Sequence, residues 1–144
     1  MAWDHVRKQK ENALNSMNRG GAHRLVKVVP HDPGVATWKT RIKGWVTHEI
    51  FLMGKTPEEM ERLLGFDGRP GSEYLPHGID AYLITRPVRE DEFELRGAYT
   101  YLPNGNEWDG VDLRWPPGTG APQWRLIKDV DCRFLKTVPR GSRY

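Results

Sequence analysis

The chain has 144 residues, 38% of them hydrophobic, and a formal net charge of +3. This length suits one domain with a single core, and apolar runs recurring between 15 glycines and 11 prolines argue for many turns rather than disorder. The lone cysteine, Cys132, excludes an internal disulfide framework and a cysteine-based zinc site, and no apolar run approaches the ~20 residues of a membrane span.

Residues 3–19 read as a polar helix with a thin apolar stripe of Trp3, Val6, Leu14 and Met17, ended by Gly20-Gly21. His23–Val29 is β-rich, and His31-Asp32-Pro33-Gly34 signals a turn. Trp38–Lys43 predicts a short strand and Trp45–Leu52 a longer one. Thr56, Pro57 and Glu59 form a capping box for a helix whose buried stripe is Met60, Leu63 and Leu64. Ile79–Ile84 is a strand, Glu90-Asp91-Glu92 an exposed turn, and Phe93–Tyr101 a further strand. The segment 102–121 is a long Gly- and Pro-rich loop carrying Trp108 and Trp115, a length associated with function or disorder. Gln123–Val130 and Cys132–Val138 read as a hairpin about Asp129–Asp131, with Cys132 a buried, inert thiol. Short connections make the pairing mostly antiparallel. The expected fold is α+β: about six strands and two helices in a single domain spanning 1–144.

No Gly-x-Ser-x-Gly, His-Glu-x-x-His or Walker loop is present, so function must be read from scattered polar groups. Trp115-Pro116-Pro117-Gly118-Thr119-Gly120-Ala121-Pro122-Gln123 joins a stiff turn to a permissive Gly118-x-Gly120. Such a loop delivers the Gln123 amide to the lip of a cleft, where it holds a ribose hydroxyl or a water; alternatively it satisfies loop backbone. Arg86, at a strand end, and Arg96, beside Gly97, are bidentate clamps for a pyrophosphate or ion-paired surface groups. His77 precedes a strand as an acid/base candidate, or is merely exposed. His23-Arg24 opens the first strand. His48 and Glu49, adjacent on a strand, face opposite sides and do not pair.

Ile79–Val88, Leu95–Tyr99 and the Trp115…Gly118-Thr119-Gly120-Ala121-Pro122-Gln123-Trp124 segment resemble the C-terminal half of bacterial toxins related to tuberculosis necrotizing toxin. The resemblance covers about a third of the chain. It implies an ADP-ribosyltransferase-like scaffold that cleaves the nicotinamide–ribose bond of NAD without a metal. Arg86-Pro87-Val88 matches the family's basic-Pro-apolar triplet, and Gln123-Trp124 its Gln-aromatic pair. Gln123, Arg96 and His77 then stand as catalytic residues. Arg86, Arg24, Trp115, Gly118 and Gly120 would bind NAD. Two departures stand out: the family's strand histidine falls at Asp80, and Arg24 is only the best match for its N-terminal arginine.

The resemblance implies a secreted or delivered toxin acting in a target-cell cytoplasm, with an acidic immunity protein as partner and no membrane contact. Two other classes fit the composition. One is a metal-free ribonuclease toxin acting on RNA through His23, His48 or His77. The other is a non-enzymatic binding domain using its six tryptophans for core and interface.

Overall fold

The computed structural model describes residues 2–20, 24–34, 38–64, 76–94, 112–113 and 122–144. Helix α1 (Ala2–Met17) is followed by β1 (Leu25–Pro30), β2 (Arg41–His48) and a 3-10 turn (Glu49–Phe51). Helix α2 (Pro57–Leu63), β3 (Ile79–Ile84) and a second 3-10 turn (Glu90–Glu92) come next. The strands β4 (Phe93–Glu94), β5 (Asp112–Leu113) and β6 (Pro122–Val138) complete the order.

Among the described residues every strand pair is antiparallel, in line with the mostly antiparallel pairing expected from the short connections. The pairing runs β2–β1–β3–β6 and returns from β6 to β2, closing a small barrel. One strand supplies two staves. The first half of β6 pairs with β2 from Val46↔Trp124 to Arg41↔Asp131, and its second half pairs with β3 from Ile84↔Cys132 to Ile79↔Val138. Closure leaves few unpaired edges, and β4 and β5 cover part of the β6 border.

The long β6 corrects the expected hairpin about Asp129–Asp131. Val130 and Asp131 keep partners on β2, and Cys132 finds its partner on β3. The chain therefore changes neighbours there without reversing. The Cys132 amide donates to the Thr40 carbonyl (2.9 Å), and the Thr85 amide to that of Asp131 (3.1 Å), so the switch leaves these groups satisfied. The two strands expected over 38–52 are likewise one strand and a 3-10 turn. A bulge between Ile42 and Gly44 lets β2 bend around the barrel. Gly44 has φ +97°, a conformation that favours glycine, while the nearest atom to an added Cβ, Lys27 Nζ at 3.0 Å, ends a flexible side chain that can move aside.

Alternation along β6 separates inside from outside. Trp124, Leu126, Val130 and Cys132 are buried, and Arg125, Ile127, Asp131 and Arg133 are exposed. The buried set joins Leu25, Ile42, Val46, Tyr82 and Ile84 in the inner core. Helix α1 adds Ala13 and Met17 to this core with Leu14 partly buried against it, so of the expected stripe Met17 is buried and Leu14 half-buried, while the side chains of Trp3 and Val6 lie outside those described. Val26, Val28, Ile79, Ala81 and Val138 form a second core on the opposite sheet face, covered by Leu52 and by Met60 and Leu64 from the α2 region.

The capping box at α2 is present in both directions. The Glu59 amide donates to Thr56 Oγ1 (3.2 Å), and the Thr56 amide to Glu59 Oε1 (3.1 Å). Glu90–Glu92, expected as an exposed turn, is a 3-10 turn with Glu92 buried. Of the strand expected over 93–101, only 93–94 falls among the described residues, and of the loop 102–121 only the β5 pair does.

Candidate functional site

A cleft of about 400 Å³ opens where the C-terminus of α1, the start of β1, the end of β3 and β6 converge. Asn18 fixes α1 there. Its Nδ2 donates to the Val88 carbonyl (2.9 Å), and its Oδ1 accepts from the Val88 amide (2.8 Å). This amide bracket ties helix to strand exit and defines one wall. Leu25, Leu83, Ile84, Met17 and Pro87 give the cleft an apolar floor, and Arg19, Arg24, Arg86 and Arg133 line it with cations. Its volume falls within the range of small-ligand sites.

The four arginines differ in how their donors are used. Arg86 is almost fully committed. Its Nη1 and Nη2 donate to the two Glu92 carboxylate oxygens (2.8 and 2.5 Å), Nε to Asp131 Oδ2 (3.3 Å), and Nη1 also to the Pro87 carbonyl (3.1 Å). The Arg86 bonds, with help from the Arg89 amide, outweigh burial and hold the Glu92 carboxyl at about 2. Glu92 in turn pushes the Arg86 guanidinium above its ordinary value. The group is a cross-link between the β3 exit, the second 3-10 turn and β6.

Arg24 is half committed. Its Nε and Nη2 donate to Glu49 (2.7 to 2.9 Å), leaving Nη1 without a partner among the described residues. Burial opposes ionisation of Glu49, but the Tyr144 hydroxyl and Arg24 hold its carboxyl below the usual range. Burial, then the Glu49 carboxylate, pushes the Tyr144 hydroxyl well up. Lys136 Nζ sits 3.9 Å from the Tyr144 ring centroid and completes this clasp. Arg19 and Arg133 make no side-chain hydrogen bond or ion pair with another described residue. Among the described residues they are the cleft cations left available, and the sequence reading passed over both.

The candidates of the sequence reading separate accordingly. Arg24 and Arg86, sixty-two positions apart by their numbers, meet at one cleft. Gln123 does not line it. Rather than reaching the lip of a cleft, Gln123 is 2% exposed, with its Nε2 3.4 Å from the Leu64 carbonyl. The cause is parity: Gln123 shares the outer face of β6 with Arg125, but the α2 region covers that face at Gln123. His77 is exposed and lies outside the cleft lining. Arg96, Trp115, Gly118 and Gly120 lie outside the described residues. His48 is buried with its ring 5.0 Å from that of Trp124, and Glu49 turns to Arg24, so the two do not work as a pair. Cys132 is buried, and burial and Asp131 raise its thiol pKa, as expected of an inert core cysteine.

A second polar cluster was not anticipated. Asp80 Oδ1 accepts from Thr137 Oγ1 (2.6 Å) and lies 2.9 Å from His31 Nδ1. The Val29↔Asp80 and Asp80↔Thr137 register brings these groups together, a relation that becomes visible only once the strands are paired. It sits at the far end of the β1–β3 ladder from the arginine cleft.

Among the described residues there is no group of three or more His, Cys, Asp or Glu arranged to hold a metal, and no helix long and apolar enough to cross a membrane. Comparison with known proteins gives no match to a family model, a curated protein or a solved structure.

Proposed function

We propose that this domain binds a phosphate-bearing nucleotide in the arginine cleft, and that the nucleotide is NAD, cleaved at its nicotinamide–ribose bond. The carrying observation is the pair of guanidiniums, Arg19 and Arg133, that no other described residue engages, lining one cleft with the Arg24 Nη1 that likewise has no partner among the described residues. Guanidinium forks suit phosphate oxygens, and helix and strand ends braced by Asn18 and Arg86 supply the rigidity that positioning needs. The apolar floor offers a place for a planar ring beside the charged rim.

In this reaction water adds to the ribose C1′ carbon and the C1′–N bond breaks. The electron pair goes to the nicotinamide nitrogen. The added water gives up its proton to solvent. The transition state is oxocarbenium-like, and electrostatic positioning of the diphosphate supplies the larger share of the acceleration. NAD and the ADP-ribosyltransferase-like scaffold enter from the sequence resemblance. A toxin or effector domain of this kind calls for an acidic protein in its producer that covers the cleft.

Titration calorimetry with NAD and with ADP-ribose tests binding, and release of free nicotinamide tests cleavage. Both ligands should bind the wild type, and Arg19→Ala with Arg133→Ala should abolish binding while the fold persists. Binding without nicotinamide release would remove the hydrolase reading and keep the nucleotide site. Absence of binding to either ligand would remove both.

A further inference from the structure

A second depression of about 500 Å³ adjoins the cleft, and Arg86 lines both. Five cationic side chains border it, Arg41, Lys43, Arg86, Arg89 and Lys128, against three carboxylates, Asp91, Glu92 and Asp129. Two of the cations are taken: Arg86 by Glu92, and Lys128 by Asp91 at 2.8 Å. Arg41 reaches the Asp129 carbonyl (3.2 Å) and Asp131 (3.6 Å) but stays largely exposed. Lys43 forms no side-chain hydrogen bond or ion pair with another described residue, and Arg89 is near enough to Glu92 for its charge to help hold that carboxyl down.

The barrel arranges these cations in a row. Arg41 and Lys43 are two apart on β2, with Ile42 between them in the core, so both face outward about 7 Å apart. Asp131 lies opposite Arg41, and Arg133 is one such step further along β6. Arg133, which pairs with Leu83 of β3, and Arg41 and Lys43 on β2 therefore carry positive charge across the β6 switch from the cleft into the depression, with the Asp131 carboxylate between Arg133 and Arg41. Ile127, 45% exposed, adds an apolar contact at the same place.

We infer that this outer β2–β6 face binds single-stranded nucleic acid, with Arg133, Arg41, Lys43 and Arg89 on successive phosphates and a base resting against Ile127. The inference is independent of NAD cleavage. A flexible phosphodiester chain can follow cations set at unequal steps across the β2 bulge, and apolar surface beside them receives a base. A rigid duplex presents its phosphates at fixed spacing and cannot adapt to the uneven steps that the bulge imposes, whereas a single strand can.

The test is fluorescence anisotropy of a labelled short oligouridylate, with a duplex of equal length as comparison and unlabelled polyglutamate as competitor. The single strand should bind more tightly than the duplex. Its log K should fall against log salt with a slope of about −2 to −3, the value for about three or four neutralised phosphates. Lys43→Glu with Arg89→Glu should weaken oligouridylate at least about tenfold with melting temperature unchanged. The same variant should keep ADP-ribose binding in the cleft, so that failure here and failure of the nucleotide reading are told apart. The inference is overturned if oligouridylate does not bind at low salt, if the double variant binds it as the wild type does, if the duplex binds as well, or if polyglutamate competes on equal terms.

Discussion

Arg86 and Arg133 line the same cleft and are held in opposite ways. Arg86 spends its donors on Glu92, Asp131 and the Pro87 carbonyl, and its side chain is 24% exposed. Arg133 is exposed, and its side chain makes no hydrogen bond or ion pair with another described residue. A guanidinium already saturated by carboxylates has little to offer a phosphate, because each new bond must displace an existing one. An uncommitted one needs only to shed water. The contrast assigns architecture to Arg86 and recognition to Arg133, although the sequence singles out the first and ignores the second.

The widest test of the contrast is Glu92→Gln. It leaves the partly buried Arg86 charge with the more exposed Asp131 as its one remaining carboxylate among the described residues, and should cost about 3 kcal/mol at neutral pH, read from urea unfolding. A loss under about 1 kcal/mol would mean that Arg86 is not a cross-link. The same variant has a pH signature. Because the folded carboxyl sits near 2 against an ordinary 4.5, its stabilisation is complete above the unfolded value and fades as pH falls from 4.5 to 2. Wild-type stability should decline across that window more steeply than that of Glu92→Gln. Parallel pH profiles would count against the pairing.

Tyr144→Phe comes next. It removes a hydrogen bond to the ionised Glu49, and about 2 kcal/mol should be lost. Arg24 would then be the sole side chain bonded to Glu49 in the clasp, so the variant shows whether Arg24 can serve both Glu49 and a ligand. Weaker ADP-ribose binding by Tyr144→Phe would show that it cannot. Asn18→Ala takes away both bonds to Val88, at a cost of about 1–2 kcal/mol. It should also loosen the cleft wall, raising amide exchange at 84–88 more than along β6. Uniform exchange would place the wall's rigidity elsewhere.

Arg133→Ala has the smallest expected effect on stability, within about 0.5 kcal/mol, as for an exposed side chain with no partner. Its ADP-ribose affinity should nonetheless fall about tenfold, the loss of roughly one charge-assisted contact. If stability falls and affinity does not, the roles of Arg86 and Arg133 must be exchanged.

Local chemistry was readable in the chain wherever neighbours in sequence decide the outcome. Thr56 and Glu59 cap α2 because the reach is three residues, and Ile79–Ile84 is a strand with the bounds expected from its apolar run. Cys132 is buried because the alternation of β6 places it inward. Asp129–Asp131 misled for the same reason in reverse. A polar pair about one valine looks like a turn, yet its residues pair with β2 on one side of the switch and hand over to β3 on the other.

The sequence by itself determined an α+β chain of antiparallel strands, its two helices, its helix cap and its inward and outward strand faces, all consequences of short-range sterics and of period. Tertiary structure alone decided that β6 bends to close a barrel and that Arg19, Arg24, Arg86 and Arg133 converge. It also decided which of those charges are neutralised. Ion pairing depends on which carboxylate lies within about 4 Å, and the partners here stand as far apart as Arg86 and Asp131. That distance is set by strand register and closure, which no local run of residues encodes.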